Sequence, residues 1–119
     1  WEARTSCLLE NQALVQKFHE SETALAFARI ECHYFMNRGF FLRDDQLLAD
    51  VSRIRHLPGV IVQGRYDVVC PMKSAWDLHR AWPEASLEVV ADAGHSAFET
   101  GTEARLLQAT EEMARRYNA

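Results

Sequence analysis

An acid and a histidine stand at matching places in this sequence, each just past a short apolar run. Val60-Ile61-Val62 leads into Gly64-Arg65-Tyr66-Asp67, and Leu87-Glu88-Val89-Val90 leads into Asp92-Ala93-Gly94-His95. A carboxylate so placed can hold an imidazole in one tautomer and stabilise its protonated form. The imidazole can then take a proton from a hydroxyl and return it to a leaving group. The two residues are 95 − 67 = 28 positions apart, the length of one strand-helix-strand unit, so parallel neighbouring strands would bring their carboxyl ends together. Two plainer roles fit the same residues: Asp67 as the cap of a turn, and His95 as a surface-loop histidine.

A nucleophile for this pair is not evident. Gly94-His95-Ser96-Ala97-Phe98 is not a Gly-x-Ser-x-Gly elbow, because Phe98 occupies the last glycine position. Ser6, Ser21, Ser52, Ser74 and Ser86 have no such setting either.

A second constellation lies upstream. Phe27, Glu31, Tyr34 and Phe35 stand at i−4, i, i+3 and i+4, so one helix face presents an acid among three rings. Such an acid can be a solvent-edge glutamate paired with Arg29 or Arg38. It can equally be the floor of a pocket that captures a cationic amine beside an apolar group. Burying a carboxylate among rings costs free energy unless it is partnered, so a site of that kind would serve binding rather than stability.

The elements that must position these residues follow from the apolar pattern. Residues 1 to about 20 are helix-prone, with Leu8, Leu9, Leu14, Val15 and Phe18 near the helical period. A second helix is expected from about Glu22 to Asn37, capped by Ser21 or Thr23 and stopped at Gly39. Asp44-Asp45-Gln46 opens a shorter helix through Val51. Gly59 to Gly64 is β-branched, glycine-bounded and too short for a helix, which predicts a fully buried parallel strand. Pro71 opens the next helix and Pro83 closes it. Leu87 to Val90 is the second strand, and an amphipathic helix runs from Glu103 to Tyr117.

Composition narrows the function classes. The chain has 119 residues, 48% hydrophobic and 25% charged, which places it among globular sequences. Its net charge is −4 and it has no basic run, so a nucleic-acid partner is not expected. No stretch is long and apolar enough for a transmembrane helix. The histidines lack metal-ligand spacing and no nucleotide motif occurs, so neither metal nor other cofactor is expected. Cys7, Cys32 and Cys70 match no staple or zinc pattern and read as free thiols of a reducing cytoplasm. The chain opens Trp1-Glu2-Ala3-Arg4 without an initiator methionine, as the interior of a longer polypeptide would.

The longer words of the sequence carry a resemblance. Gly64-Arg65-Tyr66-Asp67-Val68-Val69-Cys70-Pro71-Met72 is followed by Ala75-Trp76-Asp77-Leu78-His79 and by Ala81-Trp82-Pro83-Glu84-Ala85. Then comes Asp92-Ala93-Gly94-His95-Ser96-Ala97-Phe98-Glu99. With Ala28 to Phe35, Gly39-Phe40-Phe41 and Trp1-Glu2, these words resemble the C-terminal part of the prolyl aminopeptidases (proline iminopeptidases), serine peptidases of the α/β-hydrolase fold.

The resemblance implies an α/β fold made of the last two parallel strands and helices of the hydrolase core. Residues 1–50 would be the end of a helical cap domain and 51–119 the end of the core. It implies that Asp67 is the triad acid and His95 the base. Glu31 and Glu2 would bind the substrate's α-amino group, Phe35 would line the proline pocket, and Cys70 would sit beside it. The substrates would be peptides with an N-terminal proline, and the compartment the cytoplasm. The family's serine elbow and oxyanion loop lie upstream of the matching part and have no counterpart here. Two alternatives stay open: a catalytically inactive truncated fragment or binding remnant, and another α/β-hydrolase such as an esterase or epoxide hydrolase.

Overall fold

The computed structural model describes residues 2–19 and 21–117, with the side chains of Glu2 and Ser21 left out of the description. Helices dominate the first half: α1 (Glu2–Thr5), α2 (Gln12–His19), α3 (Ser21–Met36) and the single turn α4 (Gln46–Ala49). The second half alternates β1 (Gly59–Gly64), α5 (Met72–Ala81), β2 (Ala85–Val90) and α6 (Thr100–Tyr117).

β1 and β2 pair in parallel, with Gly59 opposite Ala85 and Gly64 opposite Val90. A parallel pair cannot be closed by a hairpin, and α5 supplies the crossover. Pro71 sits at the cap of α5 with φ −58° and ψ 145°, where a missing N–H costs the helix nothing. His79 Nδ1 lies 2.9 Å from the Ala85 carbonyl oxygen, and the Trp82 indole N–H donates to the Leu57 carbonyl at 3.0 Å. These contacts tie the exit of α5 to the starts of both strands. Both α5 and α6 pack against both strands.

Several expectations are refined. The first helix-prone stretch is broken into α1 and α2 by a bend over 6–9, because the main chain there bonds to a distant loop instead of to itself. α3 ends at Met36, and Arg38, Gly39 and Phe40 all take positive φ (51°, 61° and 63°). β2 starts at Ala85 rather than Leu87, because pairing with Gly59 extends the ladder over two residues of low strand propensity. α6 starts at Thr100 rather than Glu103.

The predicted full burial of β1 is corrected. Val60, Ile61 and Val62 are only half-buried, since β2 is the only strand beside them among the described residues. The core is accordingly small, made of Ala3, Val15, Val51, Ala75, Ala85, Val90 and Ala93. The chain has a radius of gyration of 16.3 Å, against about 13.5 Å for a compact domain of this length. Its accessible surface is 9160 Å², where a compact monomer of this mass would show roughly 6,600 Å². Apolar side chains such as Leu42, Met36 and Phe98 contribute to that excess.

Candidate active site

The turn after β1 is organised by one carboxylate. Asp67 Oδ1 accepts from the Val69 N–H at 2.9 Å and the Cys70 N–H at 2.7 Å, the pattern of an acid folding the following turn around itself. Asp67 Oδ2 faces two side chains: the Gln63 Nε2 amide at 3.3 Å and the His95 Nδ1 at 3.0 Å. The same Gln63 amide donates to the Cys70 carbonyl at 3.1 Å. The acid is thus held by its own turn on one oxygen and by strand β1 and His95 on the other.

The side chain of Asp67 is 7% exposed and that of His95 38% exposed. Burial by itself raises the Asp67 carboxyl. The Cys70 N–H, the His95 hydrogen bond and charge, and the Val69 N–H outweigh it and hold the group below its ordinary 3.8. An ionised carboxylate has no proton to donate, so Nδ1 of His95 carries the proton and Nε2 of the neutral ring carries the lone pair. That tautomer is the one a general base needs at Nε2.

The two loops meet main chain to main chain. Arg65 N–H donates to Val90 O at 2.9 Å and Tyr66 N–H to Ala93 O at 3.0 Å, continuing the strand pairing past both strand ends. A Cβ on Gly64 would lie 1.8 Å from the Gly94 carbonyl oxygen, so only glycine allows this approach. The His95 loop is gripped from its other side too, where Ser6 O accepts from the N–H groups of His95 (2.8 Å) and Ser96 (2.6 Å).

Asp67, His95 and Cys70 are therefore brought together. Cys70 is exposed at the end of the acid turn, and burial, then the Asp67 charge, push its thiol above the ordinary 9.0. Glu31 and Phe35 lie on α3, which packs on α2 and on the turn at 38–40 and, among the described residues, does not contact the sheet. Glu31 is half-buried. Its neighbouring rings remain open, Phe27 at 40% and Phe35 at 72% exposure, so the three aromatics form no closed pocket around the acid here. A groove on α3 is lined by Tyr34, one of these rings, together with Arg29, Ile30, His33 and Asn37. The Glu2 side chain lies outside the described residues.

Gln63 and Glu99 were not evident as site residues. The signals were present but faint: one amide at the end of an apolar strand, and one acid four residues past the histidine. Among the described residues no group of three or more His, Cys, Asp or Glu could hold a metal ion. No helix among them is long and apolar enough to cross a membrane.

A parallel strand pair with a crossover helix defines an α/β protein, and an acid–imidazole pair past its carboxyl ends places it among those able to carry acid–base chemistry at the sheet edge. No protein-family model matches the chain. Curated relatives do. The chain is 61% identical over 111 residues to the probable proline iminopeptidase of Leptolyngbya boryana, covering 93% of this chain and 35% of that one. It is 58% identical over 113 residues to the proline iminopeptidase of Arabidopsis thaliana, covering 95% and 30%. It is 49% identical over 94 residues to that of Neisseria gonorrhoeae, covering 79% and 30%. The chain thus spans about a third of the length of the curated relatives it matches, and over that third it is a homologue of the proline iminopeptidases.

Proposed function

We propose that these residues are the C-terminal portion of a serine aminopeptidase that releases N-terminal proline from peptides. The observation that carries the reading is the 3.0 Å contact between Asp67 Oδ2 and His95 Nδ1, in a chain whose relatives are named proline iminopeptidases. His95 Nε2 takes the proton from a serine supplied by residues outside these 119. The serine oxygen attacks the carbonyl of the N-terminal proline, and the protonated imidazole returns its proton to the leaving amine. Water, activated by the same Nε2, then releases proline from the acyl-enzyme.

In this reading residues 51–119 close an α/β-hydrolase core and residues 1–50 end its cap. Glu31 and Glu2 anchor the substrate's cationic amine, and Phe35 borders the proline ring. Cys70 stands at the rim of the pocket. The surface left open around β1 and α3 is where the remainder of the enzyme packs, which also closes the pocket over Glu31. The compartment is the cytoplasm, consistent with three unpaired thiols.

The test is hydrolysis of proline p-nitroanilide. The complete polypeptide should turn it over and lose activity on His95→Ala, while the 119 residues alone should show none, because no serine here stands in an elbow. Turnover by the isolated chain that disappears on His95→Ala would refute the assignment of the nucleophile. A complete polypeptide that cleaves aryl esters but not the anilide would favour the esterase reading.

A further inference from the structure

We infer that Glu99 is a positioning residue for His95, clamping the histidine loop onto the segment between α1 and α2. β2 ends at Val90 and α6 begins at Thr100, so the nine residues that carry His95 have no ladder or helix of their own. The N–H groups of Gly94, His95 and Ser96 find their acceptors in the Glu99 side chain and the Ser6 carbonyl. Glu99 Oε1 accepts from the Gly94 N–H at 2.7 Å, and Oε2 accepts from the Leu8 N–H at 2.8 Å. One carboxylate thus bridges two segments whose partners are 91 positions apart in the Leu8 bond.

Beside it, the Ser6 carbonyl takes the N–H groups of both His95 and Ser96. The contact is as close as main chains allow: a Cβ on Gly94 would lie 2.9 Å from Leu8 N and 3.2 Å from Ser6 O. The His95 loop is therefore held between Gly64 on one side and Ser6–Leu8 on the other.

The chemistry of the bridge requires a carboxylate. It needs two acceptor oxygens on one short stem, and an ionised acid offers acceptors only. Glutamine would give one acceptor and turn its amide donors toward a main-chain N–H. Alanine would leave two N–H groups without that partner. Bonds of this kind, with one charged member, are about twice as strong as neutral ones. Loss of the bridge frees the loop to shift away from Ser6–Leu8, and a 1 Å misplacement of a catalytic group can cost on the order of 10²-fold in rate.

This role rests on the peptidase reading, and one experiment separates the two. In the complete polypeptide, active sites are titrated with a fluorophosphonate and turnover of proline p-nitroanilide is expressed per titrated site. Glu99→Ala should lower kcat per site about 100-fold with KM within about twofold, and Glu99→Gln should recover part of the loss. Cleavage of p-nitrophenyl acetate, whose leaving group departs without protonation, should fall less. A merely structural glutamate would reduce the number of titratable sites and leave turnover per site unchanged; that result overturns the inference.

If the wild-type protein does not cleave the anilide and His95→Ala changes nothing, the peptidase reading fails. The clamp is then judged by the far-downfield proton resonance shared by His95 Nδ1 and Asp67. Its loss in Glu99→Ala supports the clamp, and its full retention in a folded variant overturns it. Should Glu99→Ala not fold, wild-type turnover per site with an unaltered resonance in Glu99→Gln overturns it equally.

Discussion

Replacing Gly64 by alanine should part the two loops that carry the acid and the histidine. The added Cβ would lie 1.8 Å from the Gly94 carbonyl oxygen and 2.8 Å from that of Ala93. Both are main-chain atoms, so no rotamer change relieves the contact. Opening the nearer one to 3.0 Å, below which real Cβ contacts essentially never fall, demands 1.2 Å of relative motion. The Asp67–His95 bond measures 3.0 Å, and half of that motion along it would leave roughly 3.6 Å, where a side-chain hydrogen bond no longer holds. The Arg65–Val90 and Tyr66–Ala93 bonds, at 2.9 and 3.0 Å, would stretch with it. Overpacking of this kind costs about 1–3 kcal/mol, and the misplaced imidazole should lower kcat on the order of 100-fold.

The assay is turnover of proline p-nitroanilide by the complete polypeptide, run beside thermal unfolding. Gly101→Ala is the control. Its Cβ would meet the Val90 Cγ1 at 2.6 Å and the Asp92 Oδ1 at 3.2 Å, side-chain atoms rather than the Gly94 main chain, so it imposes overpacking without forcing the main chains at Gly64 and Gly94 apart. Its activity should stay close to wild type. A Gly64→Ala protein with wild-type turnover and melting temperature would refute the steric reasoning.

Four further outcomes are expected. Asp67→Asn should cost about 10³–10⁴-fold in kcat by favouring the wrong imidazole tautomer. Because folding lowers the Asp67 carboxyl below 3.8, its ionisation stabilises the fold fully above that pH. The contribution is lost as pH falls through the lower folded value, so urea melts below about pH 4 should weaken more steeply for wild type than for Asp67→Asn. Glu31→Gln should raise KM for proline p-nitroanilide by about tenfold or more through loss of a charged hydrogen bond. It should leave p-nitrophenyl acetate, which has no amine, unaffected; unchanged anilide kinetics would end the amine-anchor role. Alkylation of Cys70 by iodoacetamide, followed by mass spectrometry, should still accelerate above pH 9, since its thiol is raised from 9.0. A rate that levels off near pH 8 would contradict that.

Much of the site's acid–base half was legible before any fold was known. Asp67 and His95 each followed a β-branched or apolar run and a turn-forming stretch, and period and punctuation are local properties of a chain. The parallel pairing of the runs followed from the helix-length gap between them. The edges were less legible. Ala85 and Ser86 join β2 because Gly59 and Val60 are their partners across the ladder, and a ladder partner is not written in the residue itself. The break over 6–9 is of the same kind: Ser6 and Leu8 give their hydrogen-bonding groups to the His95 loop and to Glu99, which no local pattern announces.

The sequence by itself determined where the candidate groups stand: an acid and a histidine past two short strands, and a glutamate sharing a helix face with three rings. Tertiary structure decided what each of them touches. It set Asp67 on His95 Nδ1, placed Gln63 behind the acid and Glu99 behind the histidine, and left α3 with Glu31 and Phe35 away from the sheet. The physical reason is that periodicity reports which side chains share a face, whereas hydrogen-bond partners and steric limits belong to atoms brought together across tens of residues. The 1.8 Å approach that forbids a side chain at Gly64 exists only once both loops have folded against each other.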